Sequence, residues 1–171
     1  MNYPAHPNHL THPTLPRPTC KVMLVCGPPA VGKSTFVKQH AKPGDIVIDL
    51  DAIAAEHGIG RSRRAGDLER ILADRNRRLA ALASEQPERI AWVIVAAPGH
   101  SQREWWREAL AADVIFLQAE PRELRRRALA DPTRDNRLSL KLIDKWLFQE
   151  KLDEQRRAAL NVNVTPWEPA L

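Results

Sequence analysis

The sequence predicts an α/β protein, a three-layer arrangement in which a mostly parallel sheet of four to five strands carries helices on both faces. Three observations lead there. Apolar runs of strand length, at 21–26, 45–51, 89–97 and 113–118, alternate with amphipathic stretches of helical period. Turn residues such as Lys42-Pro43-Gly44 and Pro98-Gly99 punctuate the changes from one to the other. The first apolar run also passes through a glycine-bounded loop straight into a helical stretch, the opening of a strand–helix–strand unit.

The chain has 171 residues, of which 43% are hydrophobic, enough for one domain with a sizeable core. Residues 21–171 read as that domain and 1–20 as a tail. The net charge of +5 suits a polyanionic ligand without identifying one. Cys20 and Cys26 stand at the mouth and the end of one extended run, too far apart for a disulfide, which points to a reducing, cytoplasmic setting. No apolar run approaches the roughly 18 residues needed to span a bilayer. The N-terminus lacks the charged start and apolar core of a secretory signal, so a soluble, unprocessed chain is expected.

In order, the tail contains Pro4, Pro7, Pro13, Pro16 and Pro18 interleaved with His6, His9 and His12. That much proline neither joins a ladder nor continues a helix, so an extended or disordered segment is expected, with no metal site. The first strand, 21–26, leads to Gly27-Pro28-Pro29-Ala30-Val31-Gly32-Lys33-Ser34, which fits the phosphate-binding pattern G-x-x-x-x-G-K-S/T at every fixed position. Between a strand and a helix this spacing turns successive backbone N–H groups into one concavity. Gly27 and Gly32 allow close approach there, and the positive helix end faces the same anion. Lys33 adds a mobile charge for the β and γ phosphates, Ser34 is the expected Mg²⁺ ligand, and Thr35 completes the segment. Gly27 to Thr35 is therefore the expected binding site of ATP with Mg²⁺.

The second strand, 45–51, ends in Asp49 and Asp51. In an open parallel sheet ligands gather at the carboxyl ends of strands, on the same edge as the loop. Asp49 is the candidate to assist the metal, and Asp51 the candidate base toward an acceptor hydroxyl; the structural alternative for Asp51 is capping a helix at 52–57. Residues 58–66 form a glycine-bounded basic loop suited to an anionic substrate or simply to solvent. Asp67 opens an amphipathic helix with Leu68, Ile71, Leu72, Leu79 and Leu82 on one stripe. The third strand, 89–97, lacks the acid that commonly holds magnesium at its end. Ser101 and Glu104 have the spacing of a capping box for a helix carrying Trp105 and Trp106, at least one of which is expected to pack on the sheet, the alternative being to stack on a base. After a fourth strand at 113–118, Pro121 starts a basic helix with Leu124, Ala128 and Leu129 as its apolar face. At least one of Arg127, Arg134 and Arg137 is expected to reach phosphate, with Arg127 and Arg134 the catalytic candidates; the structural alternative is a solvated helix with ion pairs. A last helix at 138–160 should turn Leu142, Ile143, Trp146 and Leu147 inward, and Val162 and Val164 suit a short edge strand.

The order of these features resembles the P-loop kinases of the polynucleotide kinase and zeta-toxin type, including small P-loop proteins called AAA family ATPases in phage genomes. The resemblance spans roughly residues 21–155. It rests on the loop 27–34 and more loosely on Val47-Ile48-Asp49-Leu50-Asp51 and the basic segment 124–134. It implies a P-loop NTPase fold, transfer of the ATP γ-phosphate, Asp51 as base, and Arg127 with Arg134 as lid arginines. The acceptor class it implies is a small-molecule, nucleotide or nucleic-acid-end hydroxyl. Polynucleotide kinases usually carry an arginine three residues after the base, where this chain has Ala54. An alternative from another class is an ATP-binding accessory NTPase that acts on nucleic acid or a protein partner.

Overall fold

In the computed structural model, residues 13–60, 66–132 and 135–160 are described. Four parallel strands, β1 (Lys21–Cys26), β2 (Ile46–Asp49), β3 (Ile90–Val95) and β4 (Asp113–Phe116), lie in the order β2-β3-β1-β4. β1 pairs with β3 from Lys21↔Ile90 to Cys26↔Val95 and with β4 from Met23↔Asp113 to Cys26↔Phe116, so the three ends form one carboxyl edge. The α/β expectation is met. The expected edge strand at Val162 and Val164 lies outside the described residues.

The helices are α1 (Lys33–His40), α2 (Leu50–Glu56), α3 (Asp67–Ala81), α4 (His100–Leu110), α5 (Pro121–Ala130) and α6 (Asn136–Ala159). Parallel strands must be joined by crossovers, which cover both faces and explain why β1 and β3 are almost continuously apolar. On one face Val25, Trp92 and Ile94 pack with Val31, Val37, Leu124, Ala128 and Ile143 from the loop, α1, α5 and α6. On the other, Leu24, Ile48 and Val93 pack with Ile53, Ile71, Leu79, Trp106 and Leu110 from α2, α3 and α4. α6 joins the two layers, because Ile143 belongs to the first cluster and Trp146 to the second.

Several boundaries differ from expectation. β2 stops at Asp49, and Leu50 already begins α2, so Asp49 and Asp51 do not share one face of an extended chain. Asp49 is the helix cap, accepting the Asp51 N–H at 3.1 Å, and Asp51 sits exposed in the first turn. α4 starts at His100 behind Gly99, one residue before the expected Ser101 cap. Its end is held from α6 instead: Asp153 accepts the His100 N–H at 2.8 Å and the Ser101 hydroxyl at 3.4 Å. Leu68, Leu129 and Leu142, expected inward, are exposed, while Asp74, Arg75 and Arg103 are buried. Trp106 is buried as expected, and the Arg75 guanidinium lies 5.2 Å from its ring centre. The end of the expected tail belongs to the domain: Leu15 packs on the core, and Thr19 bonds through its N–H to Leu82 O at 3.0 Å and through its hydroxyl to Glu85 O at 2.6 Å. Both cysteines are free and buried. Among the described residues no helix is long and apolar enough to cross a membrane.

Candidate active site

The loop 27–32 leaves the end of β1 at the carboxyl edge and enters α1. Its root is fixed on both sides: Gly27 N–H donates to Ala96 O at 3.4 Å, and Leu117 N–H donates to Cys26 O at 2.8 Å. A side chain at Gly27 would meet Leu117 O at 2.3 Å, so the first glycine of the pattern is required by the neighbouring strand's continuation. Gly32 caps α1 at φ 100°, a conformation that favours glycine, and Ala30 also takes positive φ, at 63°. The first turn of α1 contains no acid of its own, and its positive end faces the loop. Gly27 and Pro28 are buried, Pro29 and Ala30 half-buried, and Ser34 and Thr35 exposed.

The Lys33 ammonium spans the loop, donating to Gly27 O and Pro28 O at 2.9 Å each. Next to it in the first turn of α1, the Ser34 hydroxyl donates to Asp49 Oδ2 at 2.9 Å. Asp49 thus uses one oxygen for Ser34 and the other to cap α2, which ties the expected metal pair together. A cleft of about 410 Å³ opens beside this pair, between α1 and β2, with Val37, Val47 and Ile94 as apolar walls and Lys38 at its side. From the third element, α5, Arg127 Nη1 donates to Val31 O at 3.1 Å and Nε to Glu123 Oε1 at 2.6 Å. Arg127 therefore stands at the loop, whereas Arg137 is exposed at the start of α6 and Arg134 lies outside the described residues. Residues 61–65 of the basic loop 58–66 lie outside them too.

The end of β3, where an acid was sought, carries backbone and an arginine instead. Ala96 O accepts Trp146 Nε1–H at 3.0 Å as well as Gly27 N–H. Arg103, only 4% exposed, donates to Ala97 O at 2.9 Å and Pro98 O at 2.8 Å, and its guanidinium lies 4.3 Å from the centre of Phe116. Burial lowers its pKa from the ordinary arginine value, and burial pushes the neighbouring Cys26 thiol up to about 12, so that thiol is no nucleophile. Sequence reasoning missed Arg103, Glu123 and Asp153. A buried arginine reads like any surface arginine in a pattern of charges, and only the i, i+4 spacing of Glu123 and Arg127 was there to find.

The AAA domain family matches residues 22–147. The chain belongs to that family. No curated protein matches it. Among solved structures it is similar to a chain of the Pnkp1/Rnl/Hen1 RNA repair complex, with TM-score 0.60 and 16% identity over 80% of this chain. It spans about 46% of that chain's length. A gluconokinase from Sinorhizobium meliloti 1021 (TM-score 0.47, 21% identity, 75% of each chain) is also similar. So is a shikimate kinase from Bacteroides thetaiotaomicron (TM-score 0.47, 17% identity, 83% of this chain and 99% of that one). The family match and the first likeness establish the P-loop α/β fold already traced from the sheet and the loop.

Proposed function

We propose that this AAA-domain chain is an ATP-dependent phosphotransferase that delivers the γ-phosphate to an acceptor hydroxyl. The observation that carries the reading is the Arg127–Val31 O contact, which brings a cation from a separate helix to the loop already holding Lys33. Phosphoryl transfer is catalysed mainly by positioning and by charge placed around the transferring group, and two cations from different elements suit that demand. Ser34 Oγ and Asp49 Oδ2 are hard oxygen donors 2.9 Å apart, a set that fits Mg²⁺ when phosphate oxygens and water supply the other ligands. Among the described residues no cluster of three or more His, Cys, Asp or Glu offers a cage of its own. When bound, the ion would neutralise charge on the phosphates. Lys33 would release its carbonyls for the β and γ phosphates, and the loop N–H groups with Thr35 would hold the remaining oxygens.

Asp51 is the proposed base. It is exposed in the first turn of α2, two residues beyond Asp49, where a carboxylate can accept a proton from a hydroxyl entering over the carboxyl edge. Ala54, in the position where polynucleotide kinases usually carry arginine, is buried in the core, so that position offers no charge to an acceptor. Nucleosides, small polyols and nucleic-acid ends therefore all belong in the acceptor panel.

A second reading, an ATP-binding accessory NTPase, is favoured by one observation: Arg103 and backbone occupy the end of β3 where an acid would hold the metal. ADP production measured with and without each acceptor separates the two. Under the phosphotransferase reading at least one acceptor raises ADP formation, and Asp51→Asn lowers that rate by about 10² or more with stability unchanged. ADP production that no acceptor stimulates, and that Asp51→Asn leaves intact, favours the accessory reading.

A further inference from the structure

Arginine has many rotors, and a guanidinium that must meet a phosphoryl group in flight acts best when its plane is fixed beforehand. Arg127 is fixed at two of its nitrogens. Nε donates to Glu123 Oε1 at 2.6 Å, one helical turn back, and Nη1 donates to Val31 O at 3.1 Å. Glu123 is itself held by Arg126, whose Nε donates to Oε2 at 2.6 Å and whose Nη2 donates to Oε1 at 2.7 Å. That fork stops the carboxylate from turning away. The backbone beneath is equally fixed, since Leu124 and Ala128 of α5 share one packed cluster with Val31. Among the described residues Arg127 Nη2 has no protein partner.

We propose that Glu123 is a positioning residue that holds the Arg127 guanidinium against the phosphate loop, leaving its outer N–H groups to face a nucleotide's terminal phosphate. This rests on the phosphotransferase reading of Arg127. Two alternatives explain the geometry less well. A contribution to stability is small, because the Arg126 and Arg127 side chains are 67% and 43% exposed and such pairs contribute little. Neutralisation is incomplete, because one carboxylate faces two guanidinium groups and the trio keeps a net positive charge for a phosphate. The two guanidinium groups hold the Glu123 carboxyl at about 2, so this array stays charged at any working pH.

The test needs no acceptor. Calorimetry compares affinity for Mg²⁺ and ADP with aluminium fluoride, which mimics the phosphoryl group in transfer, against Mg²⁺ and ADP alone. Arg127→Ala should reduce the preference for the mimic by about 10²-fold, as loss of one transition-state donor does. Glu123→Ala should reduce it by about tenfold through misorientation. Glu123→Gln should fall between the parent and Glu123→Ala, because the amide oxygen still accepts from Arg127 Nε while the amide NH2 can no longer accept from Arg126 Nε. The double variant Glu123→Ala with Arg127→Ala should match Arg127→Ala alone, since one residue acts through the other.

A Glu123→Ala loss that persists undiminished without Arg127 would overturn the positioning role and leave the reading of Arg127 standing. So would a Glu123→Ala variant with the parent's preference, or a Glu123→Gln variant as weak as Glu123→Ala. An Arg127→Ala variant with full preference would instead remove Arg127 from phosphate contact, and the role of Glu123 with it.

Discussion

Replacing Gly27 by alanine puts a Cβ 2.3 Å from Leu117 O and 3.3 Å from Val31 Cγ1, at a backbone φ of 147°. The Leu117 carbonyl has little room to retreat, because its own N–H is bonded to Cys26 O at 2.8 Å and the chain there continues β4. Moving Gly27 instead pulls its N–H from Ala96 O. Losing one or two such bonds costs about 1 kcal/mol each, and the strained dihedral adds about 1–3 kcal/mol. Gly27→Ala should therefore destabilise the domain by about 2–5 kcal/mol, lowering Tm by roughly 4–20 °C for a chain of this size. Gly32→Ala is the internal comparison. Its φ is 100° but a Cβ there meets nothing within 4 Å, so only the dihedral term of about 1–2 kcal/mol remains. Thermal and urea unfolding of both variants measure the difference. Equal losses, or a Gly27→Ala protein with the parent's Tm, would refute the argument that the first glycine is set by contact with Leu117.

Two further perturbations address the packing around the site. Burial raises the Glu150 carboxyl, which lies near Arg103, Asp153 and Glu154, from 4.5 to about 7. The folded state thus binds its proton more tightly than the unfolded state, and stability is lost as pH rises from about 4.5 to about 7. Glu150→Gln should gain about 1–2 kcal/mol over the parent between about pH 5 and about pH 8, after discounting for solvent, by urea unfolding at each pH; a gain of the same size at both would contradict it. Thr19→Val removes the hydroxyl bound to Glu85 O and Leu82 O and should cost about 1 kcal/mol, whereas unchanged stability would return residue 19 to the tail.

What was legible in the sequence was whatever local pattern determines. β1 and the centre of β3 are apolar runs that burial on both faces demands, and the loop with its helix follows from fixed glycine, lysine and serine positions. The acids after β2 were found as residues but not in their geometry. Whether Leu50 continues a strand or opens a helix is decided by Asp49, whose side chain can either extend the edge or cap, and the cap prevailed. The exposed Leu129 and Leu142 show the same limit: helical spacing names a face, but which part of it meets a neighbour depends on how far α5 and α6 overlap. Asp153 capping α4 across 53 positions, and Arg103 fixing the end of β3, depend on tertiary contacts that no local pattern contains.

The central claim, that the loop between β1 and α1 holds a nucleoside triphosphate through Lys33, is tested most directly by calorimetric titration of Mg²⁺ and ATP into the parent and into Lys33→Ala. The Lys33 ammonium donates to Gly27 O and Pro28 O at 2.9 Å each, and losing two such bonds should cost about 1–2 kcal/mol, a fall in Tm of a few degrees that leaves the variant folded. The account predicts saturable binding by the parent and at least about tenfold weaker binding by the folded variant, in keeping with loss of a charge-assisted phosphate contact. Equal affinity in the two proteins, or no binding by the parent, would contradict it.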